Sequence, residues 1–160
     1  MPRPVTTEAE LWDRALALLA RRAHARAELQ TKLARYQPTP AMLAAVLARL
    51  EQAGWLNDGV FAENRAGSLA RQGRLGPSRI RRQLQQHGVR SSDVDAAMAS
   101  TEVDWRAQCL SVAQARRARG IDLKDPKDRA RLVRFLLGRG FSYDLISATL
   151  RELGSAPDEP

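Results

Sequence analysis

Apolar residues return along this chain at helical spacing almost everywhere, and no stretch shows the period-two alternation that a half-buried strand requires. Leu11, Trp12, Ala15, Leu16 and Leu19 line one face of a helix placed at about 8–21, and Thr7 with Glu10 makes a capping box at its start. A signature of four apolar positions then recurs. Leu29, Leu33, Leu43 and Leu47 are spaced 4, 10 and 4 apart; adding 51 gives Ile80, Leu84, Val94 and Met98, and a further 52 gives Leu132, Leu136, Ile146 and Leu150. Self-similarity at such a period marks a tandem array of small units, and these twelve side chains are the expected repeat core.

The punctuation between the apolar positions repeats as well. His87-Gly88-Val89 corresponds to Arg139-Gly140-Phe141, where glycine closes a helix in the left-handed conformation. The first copy carries Gln37-Pro38 there, so its turn is expected to end differently. Third helices are expected at 39–53, 91–100 and 142–153, starting at Thr39, Ser91 and Ser142. First helices of the later copies fall at about 58–72 and 104–119, with Asp58 and Asp104 as N-caps, while Gly76-Pro77 and Asp125-Pro126 open second helices. The fold class is therefore all-α: three tandem three-helix repeats forming an elongated, curved array, divided at 1–54, 55–101 and 102–153, with a frayed tail over 154–160. Units this small are expected to share apolar surface with their neighbours.

Composition adds class and partners. Hydrophobic residues make up 44% of the 160 and aromatics only 5%, a mixture dominated by Ala and Leu that suits packed helices. Cys109 is the single cysteine, no apolar run approaches a membrane span of roughly 18 residues, and the N-terminus does not read as a secretory signal. A cytoplasmic protein is the expectation, and a monomeric one, since no heptad seam is visible. Lys and Arg number 26 against 18 Asp and Glu, a net charge of +8 that attracts polyanions.

The distribution of that charge decides how such a partner would be met. In a helix-turn-helix reader the last helix carries the basic contacts. Here the third helices hold only Arg49 against Glu51, then Asp93 and Asp95 without a base, then Arg151 with Asp144 and Glu152. Sequence-specific groove reading is thereby disfavoured. The positive charge sits on first and second helices: seven arginines and no acid lie between Asn64 and Ser92, and Trp105–Ile121 is acid-free as well. Arg71, Arg74, Arg79, Arg81 and Arg82 are the candidate polyanion contacts, with Arg116, Arg117, Arg131 and Arg134 extending the track. A solvated surface accounts for any one of them; a block of like charge is better explained by a partner.

Catalytic patterns are missing. His24 and His87 are the only histidines, and no Cys-x-x-Cys, His-Glu-x-x-His or phosphate-loop pattern is present. Cys109 reads as a small core residue. Asp122, Asp125 and Asp128 alternate with Lys124, Lys127 and Arg129, which favours capping and local charge pairing over a metal site. Trp12, Trp55 and Trp105 read as core or inter-repeat packing rather than base-stacking platforms. A non-enzymatic protein with neither cofactor nor metal is expected.

Several stretches carry a resemblance. Gly54-Trp-Leu-Asn-Asp-Gly-Val-Phe-Ala62, Arg71-Gln-Gly-Arg-Leu-Gly-Pro-Ser-Arg-Ile80 and Leu84-Gln-Gln-His-Gly-Val89 resemble the central signature of the bacterial RecX family. Ala15-Leu-Ala-Leu-Leu-Ala-Arg-Arg22 with Glu28-Leu29 and Lys32-Leu33 is similar to its N-terminal segment, and Arg134-Phe-Leu-Leu-Gly-Arg-Gly-Phe-Ser-Tyr143 to its end. Gly59 and Val60 depart from it, standing where a charged pair often follows the Asn-Asp, and copy 1 lacks the turn glycine. The resemblance, over about 10–153, implies three three-helix repeats and a regulator of the RecA recombinase that inhibits filament growth and DNA-dependent ATP hydrolysis. It implies a curved molecule lodged in the groove of the RecA–DNA filament, with the RecA filament and single-stranded or double-stranded DNA as partners. An autonomous DNA-binding module competing for the single strand, or a purely structural adaptor, is the other reading of the residues.

Overall fold

The computed structural model describes residues 2–155, and those residues form nine helices and no strand. The first copy holds α1 (Glu8–Leu19), α2 (Arg26–Ala34) and α3 (Pro40–Gln52). The second holds α4 (Asp58–Arg71), α5 (Pro77–Gln86) and α6 (Ser91–Ala99), and the third α7 (Trp105–Arg117), α8 (Pro126–Gly138) and α9 (Tyr143–Ser155). Gly154 and Ser155, expected in a frayed tail, are the last residues of α9; 156–160, the rest of that tail, lies outside the described residues.

Most helices start where a side chain satisfies amides that lack an intrahelical partner. The Thr7 hydroxyl accepts from Glu10 N–H at 3.2 Å, Thr39 from Met42 N–H at 3.2 Å, and Asp104 from the Arg106 and Ala107 N–H groups at 3.0 Å. Ser142 accepts from Leu145 N–H at 3.3 Å. α6 begins at Ser91. One expected cap differs. Asp58 does not cap α4: Asn57 does, accepting from Val60 N–H at 3.1 Å, and the Asp58 carboxylate turns instead to Arg26 N–H at 2.8 Å. It caps α2 of the preceding copy, whose own N-cap position is Ala25 and has no side-chain acceptor to offer.

The second helices of copies 2 and 3 end alike. After α5, Gly88 has φ +79 and donates to the Gln85 carbonyl while Val89 donates to Leu84; after α8, Gly140 has φ +93 and Phe141 donates to Leu136. These are paired Schellman bonds. The corresponding residue of copy 1, Gln37, enters the same left-handed region with φ 52 and makes the first bond, to Ala34. The second bond is missing because its donor would be Pro38, which has no N–H. So the expected difference lies in the hydrogen bonding, and the backbone path is kept without a glycine.

In space the chain gathers into two compact units: residues up to Asn64 with Leu84–Ala97, and Arg65–Gln83 with residues from Met98 onward. The middle copy is thus divided between them. In the first unit Leu11, Ala15, Leu29, Leu33, Val46, Leu47, Leu50 and Leu56 form one apolar core; in the second Cys109, Ala113, Leu132, Leu136, Phe141, Ile146 and Leu153 form another. Of the twelve repeat positions, ten are buried, and Leu43 and Leu150 are half-buried against these cores. Burying a Leu or Ile side chain contributes about 2 kcal/mol, so this periodic set carries much of the folding free energy.

Glycine also governs how one copy meets the next. A Cβ on Gly88 would lie 2.4 Å from the Ala27 Cβ, at the start of α2. A Cβ on Gly140 would lie 2.4 Å from the Arg79 nitrogen at the start of α5, and one on Gly76 would lie 2.4 Å from the Gly140 carbonyl. The turn of each later copy therefore abuts the second-helix start of the copy before it. There Gly76 N–H donates to the Arg139 carbonyl at 2.7 Å and Ser78 N–H to the Gly140 carbonyl at 3.1 Å. α8, the last second helix, is served by its own Asp125, which accepts from Lys127 N–H at 2.9 Å.

Candidate nucleic-acid interface

Arginine placement follows the apolar pattern, since positions opposite a buried stripe are left to solvent. On α5, Ile80 and Leu84 are buried, leaving Arg79, Arg82 and Gln86 exposed. Arg71, Arg74, Arg131 and Arg134 are exposed too, and Arg81, Arg116 and Arg117 are half-buried. Arg131 pairs with Asp128 at 2.9 Å, which offsets part of its charge.

Within the second unit the helix ends bring some of these groups together. The C-terminal ends of α4, α7 and α8 border a groove of about 450 Å³ lined by Arg74, Arg116, Arg119, Arg139, Phe135 and Ser111, among others, and by no acidic residue. The Phe135 ring anchors two of the guanidiniums, Arg116 at 4.9 Å and Arg139 at 5.0 Å from its centroid. Arg116 Nε is buried without a hydrogen-bond partner among the described residues. Each helix C-terminus carries about −0.5 charge, so three offset only about 1.5 of the four positive charges. The groove keeps a surplus of about +2.5, more than neutralising helix dipoles requires.

Of the arginines singled out from the sequence, Arg74 and Arg116 enter this groove; the others do not line it. Arg119, noted only as part of an acid-free stretch, and Arg139, noted only as a turn residue, join them. Arg139, the C-cap residue of α8, follows Phe135 by four positions, a spacing that places both on one helix face and was legible. That Arg116 reaches the same ring from α7 was not, because the packing of α7 on α8 leaves no local mark.

The first unit has a different polar feature. Glu28 accepts from Arg22 and from Lys32, at 3.2 Å for the latter, with His87 Nδ1 at 3.5 Å and His24 Nε2 at 4.0 Å. Burial opposes its ionisation, but the Arg22 and Lys32 hydrogen bonds outweigh that and hold its pKa at about 2. His24 is 4% exposed; burial pushes its pKa down, Nδ1 lies 2.9 Å from the Arg22 carbonyl, and Nε2 meets the Lys32 ammonium at 2.8 Å. With Lys32 a donor, Nε2 accepts and the Nδ1 proton goes to the carbonyl. His87 also stacks edge-on with Phe61 at 5.5 Å. These groups satisfy one another, which makes the cluster a structural tie.

A larger groove in the same unit, about 600 Å³, is lined by Arg26, Glu51, Asp58, Arg90 and Asp93, among others. Both of its arginines pair, Arg26 with Glu51 at 2.7 Å and Arg90 with Asp93 at 3.4 Å, and Asp58 adds a further carboxylate, so it has no positive surplus to offer a polyanion. One tryptophan departs from expectation. Trp12 is half-buried beneath the Arg49 guanidinium at 4.2 Å and Trp105 is half-buried, but Trp55 is 58% exposed. It sits just past the left-handed Gly54 that ends α3, and the next residue, Leu56, turns inward instead. The Asp122, Asp125 and Asp128 carboxylates each accept a backbone N–H, from Lys124, Lys127 and Asp122. Cys109 is fully buried; burial pushes its thiol up, against the Thr149 hydroxyl, and leaves it a packing residue.

Comparison with known proteins is consistent along the whole array. Family models described as the first, second and third three-helix domains of RecX match residues 12–50, 57–98 and 102–150. A protein named Regulatory protein RecX from Pseudomonas fluorescens is 41% identical over 140 residues, covering 88% of this chain and 89% of its own. One from Halorhodospira halophila is 40% identical over 136 residues, covering 85% and 83%. In fold, the chain is similar to the crystal structure of RecX from Lactobacillus salivarius, with a TM-score of 0.80 at 22% identity over 93% of this chain and 97% of that one.

Proposed function

The chain belongs to the RecX family, and from that premise we propose that it regulates the RecA recombinase by binding the RecA–single-stranded DNA filament. It inhibits filament growth, ATP hydrolysis and strand exchange, and it does so by occupancy rather than by chemistry of its own. The observation that carries this reading is the surplus of arginine: a net +8 over the chain, with an acid-free groove of four guanidiniums in the second unit. Such a surface suits a phosphate-bearing filament and has no use in a purely structural adaptor. No helix among the described residues is long and apolar enough to cross a membrane, which fits an encounter in solution.

The same groove favours a second reading, an autonomous DNA-binding module that competes for the single strand. The two separate in one assay: RecA ATP hydrolysis on single-stranded DNA, with this protein well below one copy per recombinase. Strong inhibition at that ratio is expected, since so few molecules cannot sequester the DNA. Inhibition only near saturation, relieved by excess DNA, would establish the competitor instead, and no inhibition would discard both.

A further inference from the structure

The groove among the ends of α4, α7 and α8 has a shape and charge that the regulatory reading leaves unspecified. Its four guanidiniums, on Arg74, Arg116, Arg119 and Arg139, come from three helix ends and converge on about 450 Å³, with no carboxylate among the lining residues. That volume fits a nucleotide-sized group, not a protein face. Guanidinium forks match phosphate oxygens in geometry. Left without a ligand, charges this close repel one another, and within the groove the Phe135 ring relieves part of that, engaging Arg116 at 4.9 Å and Arg139 at 5.0 Å.

We infer that this groove is a phosphate clamp for one stretch of single-stranded nucleic-acid backbone, with Phe135 as the positioning residue that aims Arg116 and Arg139. Because the ring is already engaged by two guanidiniums, the clamp grips phosphates and does not read bases by stacking. Binding is therefore independent of sequence, and it brings Arg119 and Arg139 into play beside Arg74 and Arg116. The inference rests on the nucleic-acid half of the proposed function and names the ligand chemistry of that surface.

The test uses the full chain and a short deoxythymidine oligonucleotide, without recombinase, by fluorescence anisotropy over a salt series. Four phosphate contacts to a single strand give a slope of about −2.8 in log affinity against log salt, or about 50-fold between 50 and 200 mM. Replacing both Arg116→Gln and Arg139→Gln should make the slope shallower by about 1.4 and cost roughly tenfold or more in affinity. The pair Arg74→Gln and Arg119→Gln, both exposed, should do the same. Phe135→Leu keeps every charge, so it should lose several-fold in affinity with the slope unchanged, and Phe135→Tyr should restore binding. Thermal unfolding of each variant confirms that it is folded.

Affinity and slope unchanged in the folded arginine variants would overturn the clamp. So would tighter binding of a polyglutamate peptide than of the oligonucleotide, lost in the same variants, since that marks a carboxylate-bearing protein partner. Competition by inorganic triphosphate as effective as the oligonucleotide, phosphate for phosphate, would overturn the assignment to a nucleic-acid backbone and make the groove a site for free polyphosphate. Variants that bind the oligonucleotide normally while wild type still inhibits RecA would sink the clamp alone; clamp behaviour without inhibition would sink the regulatory reading alone.

Discussion

Gln37 holds a backbone conformation, φ 52, that its own Cβ disfavours by about 1 kcal/mol. Its counterparts Gly88 and Gly140 are glycine for a second reason, the close approach of the preceding copy, whereas Gln37 is exposed. Gln37→Gly should therefore stabilise the protein, by a few tenths of a kcal/mol after the entropy cost of glycine. Gly140→Ala should destabilise it by about 3 kcal/mol, because strain and a 2.4 Å backbone clash add; thermal unfolding of the two variants checks both signs. The repeated glycine was legible from the sequence, but only as a turn former. Its role against the neighbouring copy was not, since nothing local records which backbone comes near. Glu28 was equally silent in the sequence. With its pKa lowered from 4.5 to about 2, it stabilises the fold fully above about pH 4.5 and loses that contribution as pH falls through about 2. Glu28→Gln should cost about 2 kcal/mol at neutral pH in urea unfolding and little near pH 2. His24 works in the opposite sense to a paired histidine. Its pKa is depressed by burial, so protonation favours the unfolded chain and wild type should begin to weaken below about pH 6.5.

Among the helices, the type of each capping residue was readable but not always its owner. Asp104 and Thr39 serve the helices they precede, as local spacing implies, whereas Asp58 serves α2 across 32 residues of chain. A pattern that counts three positions forward sees only a residue's own helix. Asp58→Ala should cost about 1 kcal/mol, and amide exchange should show the first turn of α2 opening while α4, capped by Asn57, stays protected. Fraying of α4 rather than α2 would return Asp58 to its own helix. The nearby Arg26–Glu51 pair, 43% exposed on both sides, adds little to that start and should not mask the effect.

For the molecule as a whole, the repeat of apolar positions made fold class and copy number legible, because burial is a constraint every copy must meet in the same way. The division into compact units was not, for the middle copy is shared between two of them. Charge was legible in amount and rough location, and convergence was not: two of nine expected arginines line the groove. If the wider arginine surface also engages the filament, then changing the exposed Arg71, Arg79, Arg82 and Arg134 together to glutamate should abolish inhibition of RecA ATP hydrolysis. Far-ultraviolet circular dichroism should stay unchanged, because none of these side chains is in the core. Retained inhibition would confine function to the groove.

The manner in which second-helix starts are satisfied also sets the third copy apart from the first two. α2 and α5 each borrow acceptors from the copy that follows, Asp58 for one and the Arg139 and Gly140 carbonyls for the other, while α8 carries its own in Asp125. In the language of polymers, the first two copies are living ends and the third is terminated. A gene duplication or a designer wishing to append a fourth copy would have to unblock that end first, exchanging the Asp125 cap for a glycine approach like that of Gly76.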